Sequence, residues 1–135
     1  MKYVEHGFRV CPGKILAIAV PEEDLHRLQE FLGNDTQVLV AASLDQAVAC
    51  LACDRSVCVV FCDTEGIDPW PRALQRLLTV RPTSRVVLLS RLADERMWIE
   101  TLEAGAHDLL LTPFDKMELV SIVRSAILHC DAVAA

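Results

Sequence analysis

Aromatic residues make up only 5% of the chain, glycine occurs five times, and basic residues are outnumbered 13 to 19 by acidic ones. Each shortage closes a class of function. So few aromatic rings leave little to stack on a flavin. The stretch "AVPEED" after the first apolar run puts proline and acids where a nucleotide phosphate would need glycine and free amides. The formal net charge of -6, with a pI near 5.1, repels a phosphate backbone, and no local run of Lys and Arg offsets it. Nucleic acid is therefore not an expected partner. Long hydrophobic runs are missing too: "ILAIAV" (15 to 20) falls far short of the ~20 residues that a membrane-crossing helix needs. No membrane partner is expected. The opening "MKYVEHGFRVCPG" carries Glu5 and His6 where a secretory signal would have its apolar core, so a cytoplasmic location is expected. His26, His107 and His129 lack evident nucleophile and acid partners, which argues against a hydrolase, and the chain is not expected to be an enzyme.

What remains is the composition of one folded domain. The chain has 135 residues, of which 53% are hydrophobic and 24% charged. Six cysteines raise the question of a metal or a disulfide, since Cys50, Cys53, Cys58 and Cys62 fall close together. Cys50 and Cys53 lie in a stretch of helical period and Cys58 and Cys62 in a strand-like run. Four sulfurs would converge on zinc only if the helix folded onto its own strand. The expectation is buried free thiols acting as small hydrophobes, with no metal site.

Short apolar runs without polar alternation recur five times: "ILAIAV" (15 to 20), "QVLVAA" (37 to 42), "VCVVFC" (57 to 62), "RVVLLS" (85 to 90) and "DLLLT" (108 to 112). Such runs suit strands covered on both faces. Amphipathic stretches separate them. The first opens at Pro21 with three acids and places Leu25, Leu28 and Leu32 on one face before Gly33 and Asn34 stop it. Ser43 and Gln46 form a capping box for the second, whose apolar stripe is Leu44, Ala47, Val48 and Leu51. Asp68 reads as the cap of the third with Pro69 in its first turn, and Leu74, Leu77 and Leu78 face inward. The fourth spans about 93 to 104, with Trp98 and Leu102 four apart, and ends at Gly105. Asp115 and Glu118 cap the fifth, which turns Leu119, Ile122, Val123, Ala126 and Ile127 to the sheet. Alternating strand and helix predicts an α/β fold, a doubly wound five-stranded parallel sheet with right-handed crossovers and its site beyond the carboxyl ends of the strands. Residues 1–13 read as an N-terminal tail, 14–129 as the domain and 130–135 as a C-terminal tail.

With "CD" closing the third strand, "LLS" the fourth and "GAHDLLLTPFD" around the fifth, the chain from Lys14 to Leu128 resembles the receiver domain of two-component response regulators, of the chemotaxis-regulator-like kind. The resemblance implies the flavodoxin-like strand order 2-1-3-4-5. It also implies phosphoryl transfer from a phosphohistidine partner to an aspartate at the end of the third strand. That chemistry needs a carboxylate nucleophile, an acidic pair holding a divalent cation, a lysine to pair with the product, and a hydroxyl that draws in the loop after the fourth strand.

Asp63 stands at the acceptor position and Ser90 at that of the hydroxyl; read without the resemblance, Asp63 is a loop aspartate capping the next turn. The other parts depart from the family. Ala19 and Val20 replace the acidic pair, with acids only at Glu22 and Glu23, displaced to where they serve the first helical turn. Mg2+ demands near-ideal oxygen geometry, so it is expected to bind weakly or not at all. Thr112 replaces the lysine, offering a neutral hydrogen bond in place of a charge-assisted one. Leu109 takes the place of an aromatic switch residue. Arg91 after Ser90 either folds its guanidinium over the Asp63 pocket, replacing the lost cation, or is an exposed loop arginine.

The expected function is that of an atypical, stand-alone receiver in a phosphorelay, a pseudo-receiver acting through protein–protein contact with its metal-dependent phosphorylation weakened or absent. The alternative is a working switch phosphorylated at Asp63. A histidine kinase, another receiver or a downstream effector are the implied partners. The face of the fourth helix, fifth strand and fifth helix is the implied contact or homodimer surface, with Arg96, Met97, Glu100 and Lys116 upon it.

Overall fold

The computed structural model describes the backbone of residues 13–134 and the side chains of residues 13–128. The expected N-terminal tail, Gly13 apart, lies outside them. Five parallel strands, β1 (Lys14–Ile18), β2 (Gln37–Ala41), β3 (Val59–Asp63), β4 (Arg85–Ser90) and β5 (Asp108–Leu111), form one sheet in the order β2-β1-β3-β4-β5. Helices α1 (Glu22–Leu32), α2 (Leu44–Cys53), α3 (Trp70–Val80), α4 (Glu95–Glu103) and α5 (Lys116–Ala134) connect or follow them.

Two cores explain the solid apolar runs of β1, β3, β4 and β5; β2, expected to be covered on both faces, lies at the sheet edge with Val40 57% exposed. Ile15, Ala17, Val59, Phe61, Val87, Leu89 and Leu110 point to one face, where Leu28 and Leu32 of α1 and Leu119, Val123, Ala126 and Ile127 of α5 cover them. Leu16, Ile18, Val60, Cys62, Val86, Leu88 and Leu109 point to the other, against Ala47 and Leu51 of α2 and Leu74 and Leu77 of α3. Successive strand residues alternate faces, so both sets must be apolar when both faces are buried.

Helix ends follow the expected chemistry in most places. The Ser43 hydroxyl accepts the Gln46 amide at 3.2 Å, and the Gln46 side chain returns to the Ala42 amide at 2.8 Å. At α5, Asp115 and Glu118 exchange side-chain and amide contacts at 2.8 and 3.2 Å. Gly33 and Gly105 take positive φ values of 81° and 105° where α1 and α4 stop.

Four expectations need correction. Asp68 does not cap α3: the helix starts at Trp70, Pro69 holds the capping position with no side-chain bond, and Pro71 is the proline of the first turn. The α4 helix begins at Glu95 and not near 93, because the Asp94 side chain takes the Met97 amide at 2.8 Å. The backbone of 130–134 continues α5 where a C-terminal tail was expected; once a helix is nucleated, extending it costs little per residue. Finally, Cys50, Cys53 and Cys62 are free, but Cys58 is disulfide-bonded. Chain spacing shows neighbours in sequence and not which sulfur the fold brings close. Among the described residues no group of three or more His, Cys, Asp or Glu side chains is placed to hold a metal, and no helix is long and apolar enough to cross a membrane.

The turn from α2 into β3, which sets where β3 ends, is held from two sides. Lys14 meets Asp54 at 2.8 Å, and that contact first, with the Ser56 hydroxyl and amide, holds the Asp54 carboxyl down at about 2. From α3, the Arg81 guanidinium donates to the carbonyls of Val57 (2.6 Å), Leu51 and Asp54 (2.9 Å). Removing it strands acceptors at the ends of two elements. Arg81→Ala is expected to lose about 1.5–3 kcal/mol of stability, the range for hydrogen bonds to a charged group, measured by urea unfolding; a loss under roughly 0.5 kcal/mol would mean water replaces the guanidinium freely.

Candidate functional site

The carboxyl ends of β1, β3, β4 and β5 form the site. Parallel pairing brings Asp63 beside Leu89 and Ser90 beside Leu111, so the ends of three strands lie side by side. β1 finishes at Ile18, and Ala19 then turns the chain with a φ of 53°, a left-handed conformation that costs a residue with a Cβ about 1–2 kcal/mol. The loop after β3 passes close above it: a Cβ on Gly66 would lie 2.7 Å from the Ala19 carbonyl oxygen. Only glycine permits that approach without a backbone shift.

Asp63 is 2% exposed, and its Oδ1 accepts the amides of both Glu65 and Gly66 at 2.9 Å. Here the two readings of Asp63 coincide: it stands at the strand end and also organises the turn that follows. Burial pushes its carboxyl up, the two amides pull it down, and the charges of Glu65 and Asp24 add to the rise; the net shift is upward. Among the described residues, the groups that move it include no cation. Its neighbour Cys62, on the opposite face, is pushed up to about 12 by burial and then by the Asp63 charge, and so behaves as an inert hydrophobe.

Ser90 is completely buried, and its hydroxyl donates to Glu65 Oε2 at 2.7 Å while accepting the Leu92 amide at 3.0 Å. Thr64, between Asp63 and Glu65, sends both its amide (2.9 Å) and its hydroxyl (3.0 Å) to the Leu89 carbonyl, with a further contact from the hydroxyl to Glu65 Oε2 at 3.2 Å. Arg91 is exposed. Its amide reaches Glu65 Oε1 at 3.3 Å, and its charge acts on Glu65. Thr112 is 5% exposed, and its amide bonds the Ser90 carbonyl at 2.9 Å.

Asp63, Ser90 and Thr112 are therefore brought together, with Arg91 at the rim, while Glu22 and Glu23 are exposed on the first turn of α1. Two residues went unnoticed in the sequence. Asp24 is 2% exposed, its Oδ1 accepts from Arg27 at 3.3 Å, and its Oδ2 has no hydrogen-bond partner among the described residues. The helical period carries it, rather than Glu22 or Glu23, under the loops. Glu65 is the other: burial pushes its carboxyl up, but the Ser90 hydroxyl, the Arg91 amide, the Thr64 hydroxyl and the Arg91 charge bring it below its ordinary value. An aspartate followed by two residues and a glycine, "DTEG", is a turn pattern in which Asp63 takes the following amides, and this could have flagged Glu65 as fixed over the pocket.

The side-chain oxygens available to a divalent cation at this edge are few. Asp63 and Asp24 are the buried carboxylates, Ala19 and Val20 contribute no side-chain oxygen, and Glu65 is already bonded to Ser90.

No family model matches the chain. It is 34% identical over 105 residues to the transcriptional regulatory protein AruR of Pseudomonas aeruginosa, covering 74% of this chain and 43% of AruR. It spans less than half the length of the curated relatives it matches. A response regulator from Thermotoga maritima superposes with a TM-score of 0.78 at 23% identity, covering 87% of this chain and 98% of that one. The signal receiver domain of an HD domain-containing protein from Pseudomonas fluorescens Pf-5 does so at 0.76 and 26% identity, covering 90% and 98%.

The raised carboxyl of Asp63 has a testable sign. An acid whose folded pKa lies above its unfolded value binds more protons in the native state, so its contribution to stability falls as pH rises from the ordinary carboxylate range through the raised value. Asp63→Asn keeps the acceptor for both amides and removes the charge. Thermal melts should show it more stable than the parent at pH 7, with the gap closing near pH 3; a destabilised variant at pH 7 would mean that the charge is favourably held.

Proposed function

We propose that this chain, whose fold is that of response-regulator receiver domains, serves two-component signalling mainly by binding protein partners, with phosphorylation of Asp63 weakened or absent. The observation that carries this reading is the lack of positive charge at the acceptor. A phosphorylated aspartate is a dianion, and phosphoryl transfer depends on neutralising the charge that builds up on its oxygens. In this chain Thr112 stands where a lysine would pair with that charge, Ala19 and Val20 follow β1, and the charged side chains that act on Asp63 among the described residues are the acids Glu65 and Asp24. Each acid raises the cost of adding negative charge.

Apolar exposure supports a binding role. Trp98 (45%), Ile99 (45%) and Leu102 (36%) on α4, Leu111 (50%) on β5 and Met117 (83%) on α5 all reach solvent. Trp98 and Leu102 thus do not enter the core as a packed pair; the buried residue of α4 is Thr101, and the Trp98 indole donates to Asp108 at 3.1 Å. Apolar side chains gathered on one side mark an interaction surface more than a solvated one. Arg96 and Glu100 form an exposed pair at 3.5 Å, and Lys116 lines a groove of about 380 Å³ with Met117, Val120, Ser121 and Arg124. A histidine kinase, another receiver, an effector or a second copy of the chain would meet this face.

The test is mass spectrometry after incubation with acetyl phosphate and Mg2+. The unaltered chain should carry no stable label on Asp63. The triple variant A19D/V20D/T112K, which restores the acids and the lysine, should gain Mg2+-dependent label of order tenfold, the ratio that about 1.4 kcal/mol of regained stabilisation gives. Ready labelling of the unaltered chain would establish a working phosphorylation switch instead.

A further inference from the structure

Ser90 has one hydroxyl proton, and that proton is already given away. It points to Glu65 Oε2 at 2.7 Å, a length typical of a charge-assisted O–H to carboxylate bond. The lone pairs of the same hydroxyl take the Leu92 amide at 3.0 Å. The second Glu65 oxygen, Oε1, accepts the Arg91 amide at 3.3 Å, and the Thr64 hydroxyl shares its one proton between the Leu89 carbonyl at 3.0 Å and Oε2 at 3.2 Å. A phosphoryl group on Asp63 would ask for the same things: negatively charged oxygens meeting the hydroxyl at the end of β4 and an amide just beyond it. Glu65 supplies two such oxygens from the chain itself.

The placement is built in. Asp63 Oδ1 binds the Glu65 amide at 2.9 Å, so the turn that begins at the acceptor fixes the backbone of the residue whose carboxylate lies over Ser90. Thr64 ties the same turn to β4 through the Leu89 carbonyl. The Glu65 residue is exposed while its carboxylate is anchored on a completely buried hydroxyl, which describes a side chain closing the mouth of a pocket from outside.

We propose that the Glu65 carboxylate is a built-in occupant of the phosphoryl position, holding Ser90 and the start of the β4–α4 loop in the drawn-in arrangement without phosphorylation. The inference rests on reading Asp63 and Ser90 as the acceptor and switch positions of a receiver. It goes beyond weakened chemistry, because it assigns the chain a fixed signalling state. Occupancy by Glu65 and by a phosphoryl group exclude one another: Ser90 has no second proton to donate, and a dianion would meet the Glu65 charge with no cation between them. Asp63 then serves as a positioning residue for Glu65.

Amide hydrogen exchange of the full chain, followed by NMR, tests this directly. In Glu65→Ala the Arg91 and Leu92 amides should exchange roughly tenfold faster or more, since about 1.4 kcal/mol of local protection is a factor of ten, while Ile18 and Val60 in the sheet keep their rates. Glu65→Gln, which keeps an acceptor oxygen but no charge, should fall between, and Ser90→Ala should speed Leu92 as Glu65→Ala does. Unchanged rates at Arg91 and Leu92 in both Glu65 variants would overturn the proposal. Failure of the underlying reading is seen separately, as acetyl phosphate label on Asp63 of the unaltered chain, and the exchange rates of the unlabelled protein decide the role of Glu65 in either case.

Discussion

A carboxylate buried at the end of a central strand, with amides around it and no cation acting on it among the described residues, is the constraint on which the rest of this molecule turns. Asp63 must be placed there by β3, whose five residues are buried throughout, and β3 is in turn paired on both sides, to β1 and to β4. A charge in that position is tolerable only if something satisfies it. Here the two amides of the following turn do so, and they do it only in part, because burial and two neighbouring acids still leave the carboxyl above its ordinary value. The usual remedy for such a charge is an opposite one. Thr112 cannot provide it, and Arg91 directs its amide and its charge to Glu65.

From that imbalance the remaining features of the site follow. The turn that satisfies Asp63 also projects Glu65 back over Ser90, so a further negative charge joins the site and the hydroxyl is committed. Gly66 allows the turn to settle against Ala19, where a family acid would have projected and where the backbone instead carries a left-handed alanine. The scaffold remains fully built around this altered centre: two apolar cores, reciprocal caps and a guanidinium that locks the entry to β3. On the proposed reading, such a sheet edge holds a shape and does not cycle between two. The apolar side chains exposed on α4, β5 and α5 give that shape a surface on which partners can act.

Much of the fold was legible in the sequence because its causes are local. Strands buried on both faces must be solid apolar runs, as "VCVVFC" and the "VVLL" between Arg85 and Ser90 are; capping boxes such as Ser43 with Gln46 announce helix starts by chemistry alone. Asp68 misled because two prolines compete for the first turn of α3, and only Pro71 falls inside it. The placement of Asp63, Ser90 and Thr112 at strand ends was legible, because strand ends follow from the apolar runs. The site was not legible where it depends on the direction of a side chain. Asp24 differs from Glu22 and Glu23 by its angle around α1, and Glu65 by a turn whose shape is set by hydrogen bonds to a residue two places earlier. Cys58 shows the same limit, since pairing of sulfurs is a property of the folded chain.

The central claim is that the acceptor pocket lacks the ligands to gather positive charge. Titration of the full chain with Mg2+, followed by the amide shifts of Asp63, Glu65, Ser90 and Leu92, tests it most directly. The account predicts no saturable, localised shift up to millimolar concentrations, beyond the uniform drift that ionic strength produces in an acidic protein. Saturable shifts confined to those amides, lost in Asp63→Asn, would contradict it.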